Sequence, residues 1–144
     1  MTEVHVNVRI DRSAEDVFAV LADMGQNPRL QSGMKECTWT SEPPLKLGST
    51  YDQRAEFFVR SIVSPFEVIE FEPDRRMRIV STSGTMPIDV TREVSPIDEQ
   101  SCSASAIIKG DPPRAFRILG PLLDRMLGSR VNADYQELKT MLEA

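Results

Sequence analysis

Hydrophobic and polar residues alternate over the first ten residues of the chain. The apolar residues from Val4 to Ile10 occupy every second position, which is the pattern of a β-strand with one buried face. A short helix is predicted next, because the sequence from Ser13 is typical of a helix N-cap and apolar residues follow at helical spacing as far as Gly25. Asn27 is a good N-cap before a proline, so a further turn of helix is predicted over Pro28–Gln31.

The middle of the chain alternates in a similar way and contains no long helical segment. Six further strands are predicted, at Met34–Ser41, Ser49–Arg60, Phe66–Phe71, Arg76–Ser83, Ile88–Val94 and Ser101–Lys109. Glycine, proline and aspartate separate them, and Ser64-Pro65 is predicted to divide the third strand of the chain from the fourth. The short connections favour antiparallel neighbours in a meander.

The last part of the chain predicts one long helix over Pro112–Glu143. Its apolar stripe comprises Phe116, Leu119, Leu123, Met126 or Leu127, Val131, Leu138 and Met141 or Leu142. A straight helix of this length would measure about 48 Å, whereas a compact domain of this size is roughly 37 Å across. Gly120 and Pro121 are therefore predicted to bend the helix, because proline removes a backbone donor and glycine relaxes the backbone. One helix cannot fill the concavity of a large sheet, so an apolar hollow is expected between them.

Composition and charge narrow the classes of partner. The 144 residues are 40% hydrophobic, which suffices for a single domain over residues 1–144 with a sizeable core. The formal net charge of -5 repels phosphate backbones, so nucleic acid is not an expected partner. Cys37 and Cys102 lie far apart without CxxC spacing, which favours a cytoplasmic protein whose thiols form no disulfide. No run approaches the roughly 18 apolar residues of a membrane span.

Several short segments occur in an order and spacing that resemble one superfamily. They are IDRSAEDVFAVLAD from Ile10, NPRLQSG from Asn27, LGSTY from Leu47, FEVIEFEPDRRM from Phe66 and LKTMLEA from Leu138. On these segments the chain resembles the START-like (SRPBCC) superfamily, and within it the polyketide cyclase/dehydrase and lipid-transport group, over Val4–Ala144. In one departure, the family often has tryptophan after the Asn-Pro pair, where this chain has Leu30, and the only tryptophan here is Trp39.

The resemblance implies an α+β helix-grip fold, in which a curved seven-stranded antiparallel sheet surrounds a long C-terminal helix in the order β-α-α-β6-α. It also implies a hydrophobic cavity, since members bind lipids, sterols, polyketides or other apolar molecules and a minority are enzymes. The residues that we expect to bind the ligand are Trp39, Tyr51, Gln53, Phe57, Ile79, Val90, Arg92, Phe116, Leu119 and Leu123.

Polar residues on apolar faces are the candidates for ligand recognition. Arg92 shares its face with the otherwise apolar alternate residues from Ile88 to Val94. Burying an unpaired charge costs several kcal/mol, so Arg92 is predicted to contact a carboxylate, a backbone carbonyl or an anionic ligand group. One prediction is a structural partner, for which Glu70 is a candidate, and the other is an anchoring role for a ligand. Tyr51 and Gln53 could orient a ligand carbonyl or hydroxyl, the alternative being an ordinary half-buried strand with polar tips at its rim.

Other side chains with possible chemistry are assigned structural roles. These are His5 on the solvated face of the first strand, Cys37 and Cys102 as small buried residues, Arg75, Arg76 and Arg78 in a charged turn, and Met77, Met126 and Met141 in the core or cavity wall. One histidine and two remote cysteines do not provide a metal site, so no metal and no cofactor are predicted.

Two functions follow as hypotheses. The first is the binding or transport of a hydrophobic small molecule. The second is a polyketide cyclase/dehydratase-type enzyme, in which Tyr51 or Arg92 would polarise a carbonyl in the same cavity, although no full catalytic set is assigned. A protein-interaction module is a third possibility and would need an exposed apolar patch. Homodimer formation and the identity of the ligand are left open by the sequence.

Overall fold

A computed structural model of the chain describes residues 2–24, 34–57, 60–83, 87–111 and 120–144. The strands are β1 (Thr2–Ile10), β2 (Met34–Trp39), β3 (Thr50–Phe57), β4 (Arg60–Glu72), β5 (Arg76–Ser81), β6 (Ile88–Asp98) and β7 (Ser101–Gly110). The helices are α1 (Ala14–Ala22) and α2 (Gly120–Glu143). The helical turn predicted at Pro28–Gln31 and the residues at 112–119 lie outside the described residues, so the bend predicted at Gly120 and Pro121 stays a prediction.

The seven strands form one antiparallel sheet in the order β1-β7-β6-β5-β4-β3-β2. From β2 to β7 each strand pairs with the next strand of the chain, which confirms the predicted meander. β1 pairs with β7, from Thr2 opposite Gly110 to Ile10 opposite Cys102. The apolar residues of β1 are buried and the polar residues between them are exposed, as the alternation predicted.

Ser13 caps α1 as predicted. Its hydroxyl accepts a hydrogen bond from the backbone N–H of Asp16 at 3.2 Å, which satisfies one of the donors left without a partner in the first turn. The buried face of α1 comprises Ala14, Val17, Phe18 and Leu21. Phe18 contacts Phe71 of β4 with ring centroids 5.8 Å apart, so α1 packs on β4 as well as on β6 and β7.

The C-terminal end of α2 is fixed to the corner between β1 and α1. Lys139 Nζ donates to the Arg9 carbonyl at 2.8 Å, and the Glu143 carboxylate accepts from the backbone N–H of Asp11 at 2.7 Å. The Arg12 guanidinium donates to a backbone carbonyl in the last turn of α2 at 2.8 Å, which satisfies one of the acceptors at the helix end. These polar contacts hold the last turns of α2 against β1.

The buried stripe of α2 differs from the prediction at two methionines. The buried residues are Tyr135, Leu138 and Leu142, with Val131 packed against them. Met126 and Met141 are 56% and 43% exposed, so their predicted place in the core or cavity wall was wrong, whereas Met77 is fully buried as predicted. Successive helical residues point about 100° apart, so only one member of each predicted adjacent pair can face the sheet.

β4 is longer than predicted because Pro65 lies within the strand. Pro65 pairs with Asp52 of β3, and its carbonyl accepts from the backbone N–H of Thr82 at 3.0 Å. In an antiparallel sheet the N–H and C=O of one residue point to the same neighbouring strand, so the N–H that Pro65 lacks would point towards β5. The last residue pair between β4 and β5 is Phe66 with Ser81, so Pro65 lies just beyond the end of β5. The strand division predicted at this proline was wrong, because no ladder bond is lost there.

A register shift between Val68 and Glu70 turns Glu70 to the outer face of the sheet. The extra residue of such a bulge reverses the alternation of faces that follows it. Glu70 accepts a hydrogen bond from Arg78 at 3.2 Å and lies 3.5 Å from Arg76. The predicted ion pair between Arg92 and Glu70 was therefore wrong, since the two residues lie on opposite faces.

The arginines that follow the Pro73-Asp74 turn contribute to a charged outer face. Arg78 donates to Asp89 at 2.7 Å, and this hydrogen bond holds the pKa of Asp89 below its ordinary value. Arg76 lies 3.6 Å from Glu93. These half-exposed groups pair with one another across neighbouring strands, which agrees with the predicted charged surface.

Candidate functional site

The candidate site is the inner face of the sheet, which faces α1 and α2. Directly paired residues of antiparallel strands share a face, so the ladder pairs define rows of side chains across the sheet. The rows are Trp39 with Tyr51 and Phe66; Val68 with Ile79 and Val90; and Met77 with Arg92 and Ala106. The inner face is therefore apolar apart from Arg92 and the polar tip of Tyr51 in these rows.

Most of the predicted ligand-binding residues lie together on the inner face. They are Trp39, Tyr51, Gln53, Ile79, Val90 and Arg92. Tyr51, Ile79 and Arg92 are buried, and the other three are half-buried. Phe116 and Leu119 lie outside the described residues, and so do the side chains of Phe57 and Leu123. Whether any of the ten binds a ligand stays a prediction.

Arg92 is buried against the end of α1. The residue is 6% exposed, and its Nη1 donates a hydrogen bond to the backbone carbonyl of Leu21 at 3.1 Å. Leu21 lies in the last turn of α1, where carbonyl groups have no partner within the helix and where the helix dipole is negative. The partner of Arg92 is thus a backbone carbonyl at a helix C-terminus, which is one of the partners that the sequence predicted, while the candidate carboxylate Glu70 accepts from Arg78.

Two tyrosines interact electrostatically with Arg92, one from the sheet (Tyr51) and one from α2 (Tyr135). Tyr135 belongs to α2 and is buried, and its hydroxyl interacts with the Arg92 side chain. Burial raises the pKa of Tyr135, and the positive charge of Arg92 only partly offsets this rise. Burial likewise raises the pKa of Tyr51 strongly, against the opposite effect of Arg92. Both phenols are consequently protonated at neutral pH. We call Arg92, Tyr51 and Tyr135 the polar cluster.

Tyr51 also forms part of an aromatic wall. Its ring stacks on Phe66 of the neighbouring strand, with centroids 5.5 Å apart and an angle of 14° between the planes. Trp39 follows Tyr51 in the same row, on the edge strand β2, and is half-buried. Three aromatic side chains on adjacent strands provide a large apolar surface, and the Tyr51 hydroxyl lies within the electrostatic influence of Arg92.

The polar cluster is a set of hydrogen-bond donors in an apolar setting. A guanidinium carries five N–H groups and accepts no hydrogen bond, and a protonated phenol donates one. Such a set can hold an oxygen atom of a ligand carbonyl, or polarise that carbonyl. Neither phenol is suited to act as a general base at neutral pH, because a base must lose its proton easily near that pH.

Sequence reasoning missed two members of this arrangement. Tyr135 lies four residues after Val131 and three before Leu138, so the apolar stripe of α2 would have included it if tyrosine had been counted as apolar. A backbone carbonyl was predicted as one possible partner of Arg92, but the sequence could not identify it as that of Leu21, because any residue at that position of α1 would present a backbone carbonyl.

Other candidate groups lie away from the polar cluster. His5 is exposed and contacts Glu3 at 2.7 Å, in agreement with its predicted solvated position. Cys102 is fully buried, and burial raises the pKa of its thiol. An open, polar cleft of about 530 Å³ lies at the β6–β7 turn and is lined by Arg9, Asp11, Asp98, Glu99, Gln100 and Ser101. Its charged lining differs from the apolar inner face.

Solved structures have the same fold at low sequence identity. A START superfamily protein from Mycobacterium smegmatis gives a TM-score of 0.80 at 16% identity, covering 99% of this chain and 98% of that chain. Truncated norcoclaurine synthase from Thalictrum flavum gives 0.68 at 16% identity, covering 99% and 94%. The di-domain ARO/CYC BexL from the BE-7585A biosynthetic pathway gives 0.73 at 14% identity, covering 97% of this chain and 46% of that chain.

The curled antiparallel sheet and its C-terminal helix define a START-like protein with the helix-grip fold. The model of the polyketide cyclase/dehydrase and lipid transport family matches residues 1–144, and the chain belongs to that family. No curated protein matches the sequence. Neither helix within the described ranges combines the length and apolarity that crossing a bilayer requires.

Proposed function

We propose that this protein binds or transports a hydrophobic small molecule, such as a lipid or a polyketide, between the inner face of the sheet and α2. Residues 1–144 would act as one ligand-binding domain. The observation that carries the proposal is the polar cluster, which combines Arg92 and Tyr51 of the largely apolar inner face with Tyr135 of α2. A site for an apolar ligand typically combines apolar walls with a few polar groups that orient the ligand.

The structural cost of the polar cluster supports a role beyond folding. Burying a guanidinium costs on the order of several kcal/mol even when part of its hydrogen-bonding capacity is satisfied. An apolar side chain at position 92 would fill the same row of Met77 and Ala106 without this cost. A residue that is unfavourable for folding at this position is explained if it contacts the ligand.

The half-buried residues of the inner face support the same proposal. Trp39, Gln53 and Val90 are less buried than Tyr51 and Ile79 beside them. We propose that these partly exposed side chains contact the apolar body of the ligand, while the polar cluster contacts its polar end. The proposal includes a cytoplasmic location, which the sequence favours through two widely spaced cysteines.

A cyclase/dehydratase reaction is the competing function for the same site. BexL is named as an ARO/CYC protein and norcoclaurine synthase as a synthase, so this fold carries enzymes. Arg92 and Tyr51 could polarise a carbonyl, but enolisation also needs a group that accepts a proton near neutral pH. Both phenols of the polar cluster have raised pKa values. We therefore favour binding over catalysis.

Native mass spectrometry of the freshly purified protein tests the proposal. We expect a species heavier than the 16.2 kDa chain, which returns to the mass of the chain on denaturation and releases an extractable apolar molecule. Val90→Trp should reduce the retained ligand by filling the inner face. Val63→Trp is the matched control, because Val63 is 59% exposed. Equal retention by the two variants, with circular dichroism confirming that both fold, would contradict a site on the inner face.

A further inference from the structure

The polar cluster contains more hydrogen-bond donors than acceptors. Within the described residues, the Leu21 carbonyl and the Tyr135 hydroxyl oxygen each accept a hydrogen bond from Arg92, and a guanidinium has five N–H groups. Tyr51 and Tyr135 each add a hydroxyl that can donate as well as accept. A ligand atom that fits this set must accept several hydrogen bonds at once, as a carboxylate does with two oxygens and about four lone-pair sites.

Within the described residues, the groups that hydrogen-bond Arg92 are neutral, namely the Leu21 carbonyl and the Tyr135 hydroxyl. A guanidinium stays protonated at all ordinary pH values, whereas burial keeps both phenols neutral. The C-terminus of α1 supplies the equivalent of only about half a negative charge at the Leu21 carbonyl. The carboxylate predicted to pair with it, Glu70, lies on the outer face with Arg78. A single negative charge on the ligand would complete the balance.

We propose that the ligand is a monoanionic amphiphile whose carboxylate is held by Arg92, with the hydroxyls of Tyr51 and Tyr135 as further donors. This inference rests on the proposed binding function and names the class of ligand. The apolar body of the ligand contacts the row of Trp39, Tyr51 and Phe66 and the row of Ile79 and Val90. Arg92 thereby determines specificity, because a planar guanidinium matches the two oxygens of a carboxylate.

The experiment compares charged and neutral molecules of matched shape. Isothermal titration calorimetry at neutral pH measures binding of decanoate against decanol, and of naphthoate against naphthol, to the delipidated wild-type protein. Charge-assisted hydrogen bonds in a buried site predict that each carboxylate binds about 10- to 100-fold more tightly than its neutral partner. The two pairs test an aliphatic and an aromatic body, since both fit the aromatic wall.

Variants identify the residues responsible for this preference. Arg92→Gln should bring the affinities of the charged and neutral partners to within about 2-fold. Tyr135→Phe should weaken carboxylate binding by about 10-fold and leave neutral binding nearly unchanged, because it removes one donor without changing the shape of the ring. Arg130→Gln is the matched control at an exposed arginine of α2 and should change nothing.

Each outcome decides the inference. Equal affinities of the wild type for charged and neutral partners would overturn the carboxylate assignment and leave the proposed function standing. A preference that persists unchanged in Arg92→Gln and in Tyr135→Phe would also overturn it, since the charge would then be held elsewhere. If none of the four molecules binds, the proposed function itself fails. If Arg92→Gln does not fold, the wild-type preference and the Tyr135→Phe variant still give the answer.

Discussion

Replacing Arg92 by methionine separates a binding role from a structural role. Arg92 is 6% exposed, and its guanidinium donates a hydrogen bond of 3.1 Å to the Leu21 carbonyl. Losing a hydrogen bond to a charged group costs about 1.5–3 kcal/mol. Removing the buried charge recovers a desolvation cost that is also on the order of several kcal/mol. Because these effects oppose each other, we expect the free energy of unfolding of the ligand-free variant to stay within about 1 kcal/mol of the wild type.

Met77→Ala provides the scale for this comparison. Met77 lies directly opposite Arg92 on β5 and is fully buried. Truncating a buried methionine costs about 2–5 kcal/mol, and a domain of this size loses about 3–5 °C in Tm for each kcal/mol, so a drop of roughly 6–25 °C is expected. Thermal unfolding followed by circular dichroism measures both variants without ligand. If Arg92→Met lowers Tm as much as Met77→Ala does, Arg92 is needed for folding and the argument for a ligand anchor is refuted.

Three further predictions concern the helices and their ends. Leu138→Ala should destabilise the protein by about 2–5 kcal/mol, and Met126→Ala by less than about 0.5 kcal/mol, because only Leu138 of the two is buried. Denaturant unfolding measures both losses of stability, and equal losses would contradict the buried stripe of α2. Ser13→Ala should cost about 1 kcal/mol and Ser13→Gly only a few tenths, as expected for an N-cap hydroxyl. The pKa of Glu143 is held below its ordinary value chiefly by Lys139, so its carboxylate stabilises the fold above about pH 4 and this contribution is lost as the pH falls. Glu143→Gln should therefore lower Tm slightly at pH 7 but not at pH 3, and a difference that grows on acidification would show the sign to be wrong.

The sequence determined the strands and their faces where the alternation is unbroken. Side chains of a strand point to opposite faces in turn, so counting by two assigned the buried residues of β1 and placed Tyr51 and Arg92 on inner-facing positions. The same count failed after Val68, because the register shift before Glu70 is imposed by pairing with β5. The register in which a strand pairs with its neighbour cannot be predicted from the local sequence.

The effect of proline on the strands was also predicted correctly only in part. Its lack of an N–H predicts a break in any strand whose neighbour needs that donor. Pro65 keeps its place in β4 because the donor would face the end of β5, past Ser81. Whether a neighbour is present on that side depends on where β5 ends, which only the assembled sheet decides.

The amino-acid sequence by itself determined the order of the described elements, the N-cap at Ser13 and the presence of an arginine on an apolar row, since each depends on residues close together in the chain. The tertiary structure alone decided what surrounds Arg92. Its hydrogen-bond partner Leu21 lies 71 residues away in sequence, and Tyr135 reaches it from the last helix. A charge can be buried only where the fold brings distant dipoles to it, and the local pattern of residues contains no information about those distances.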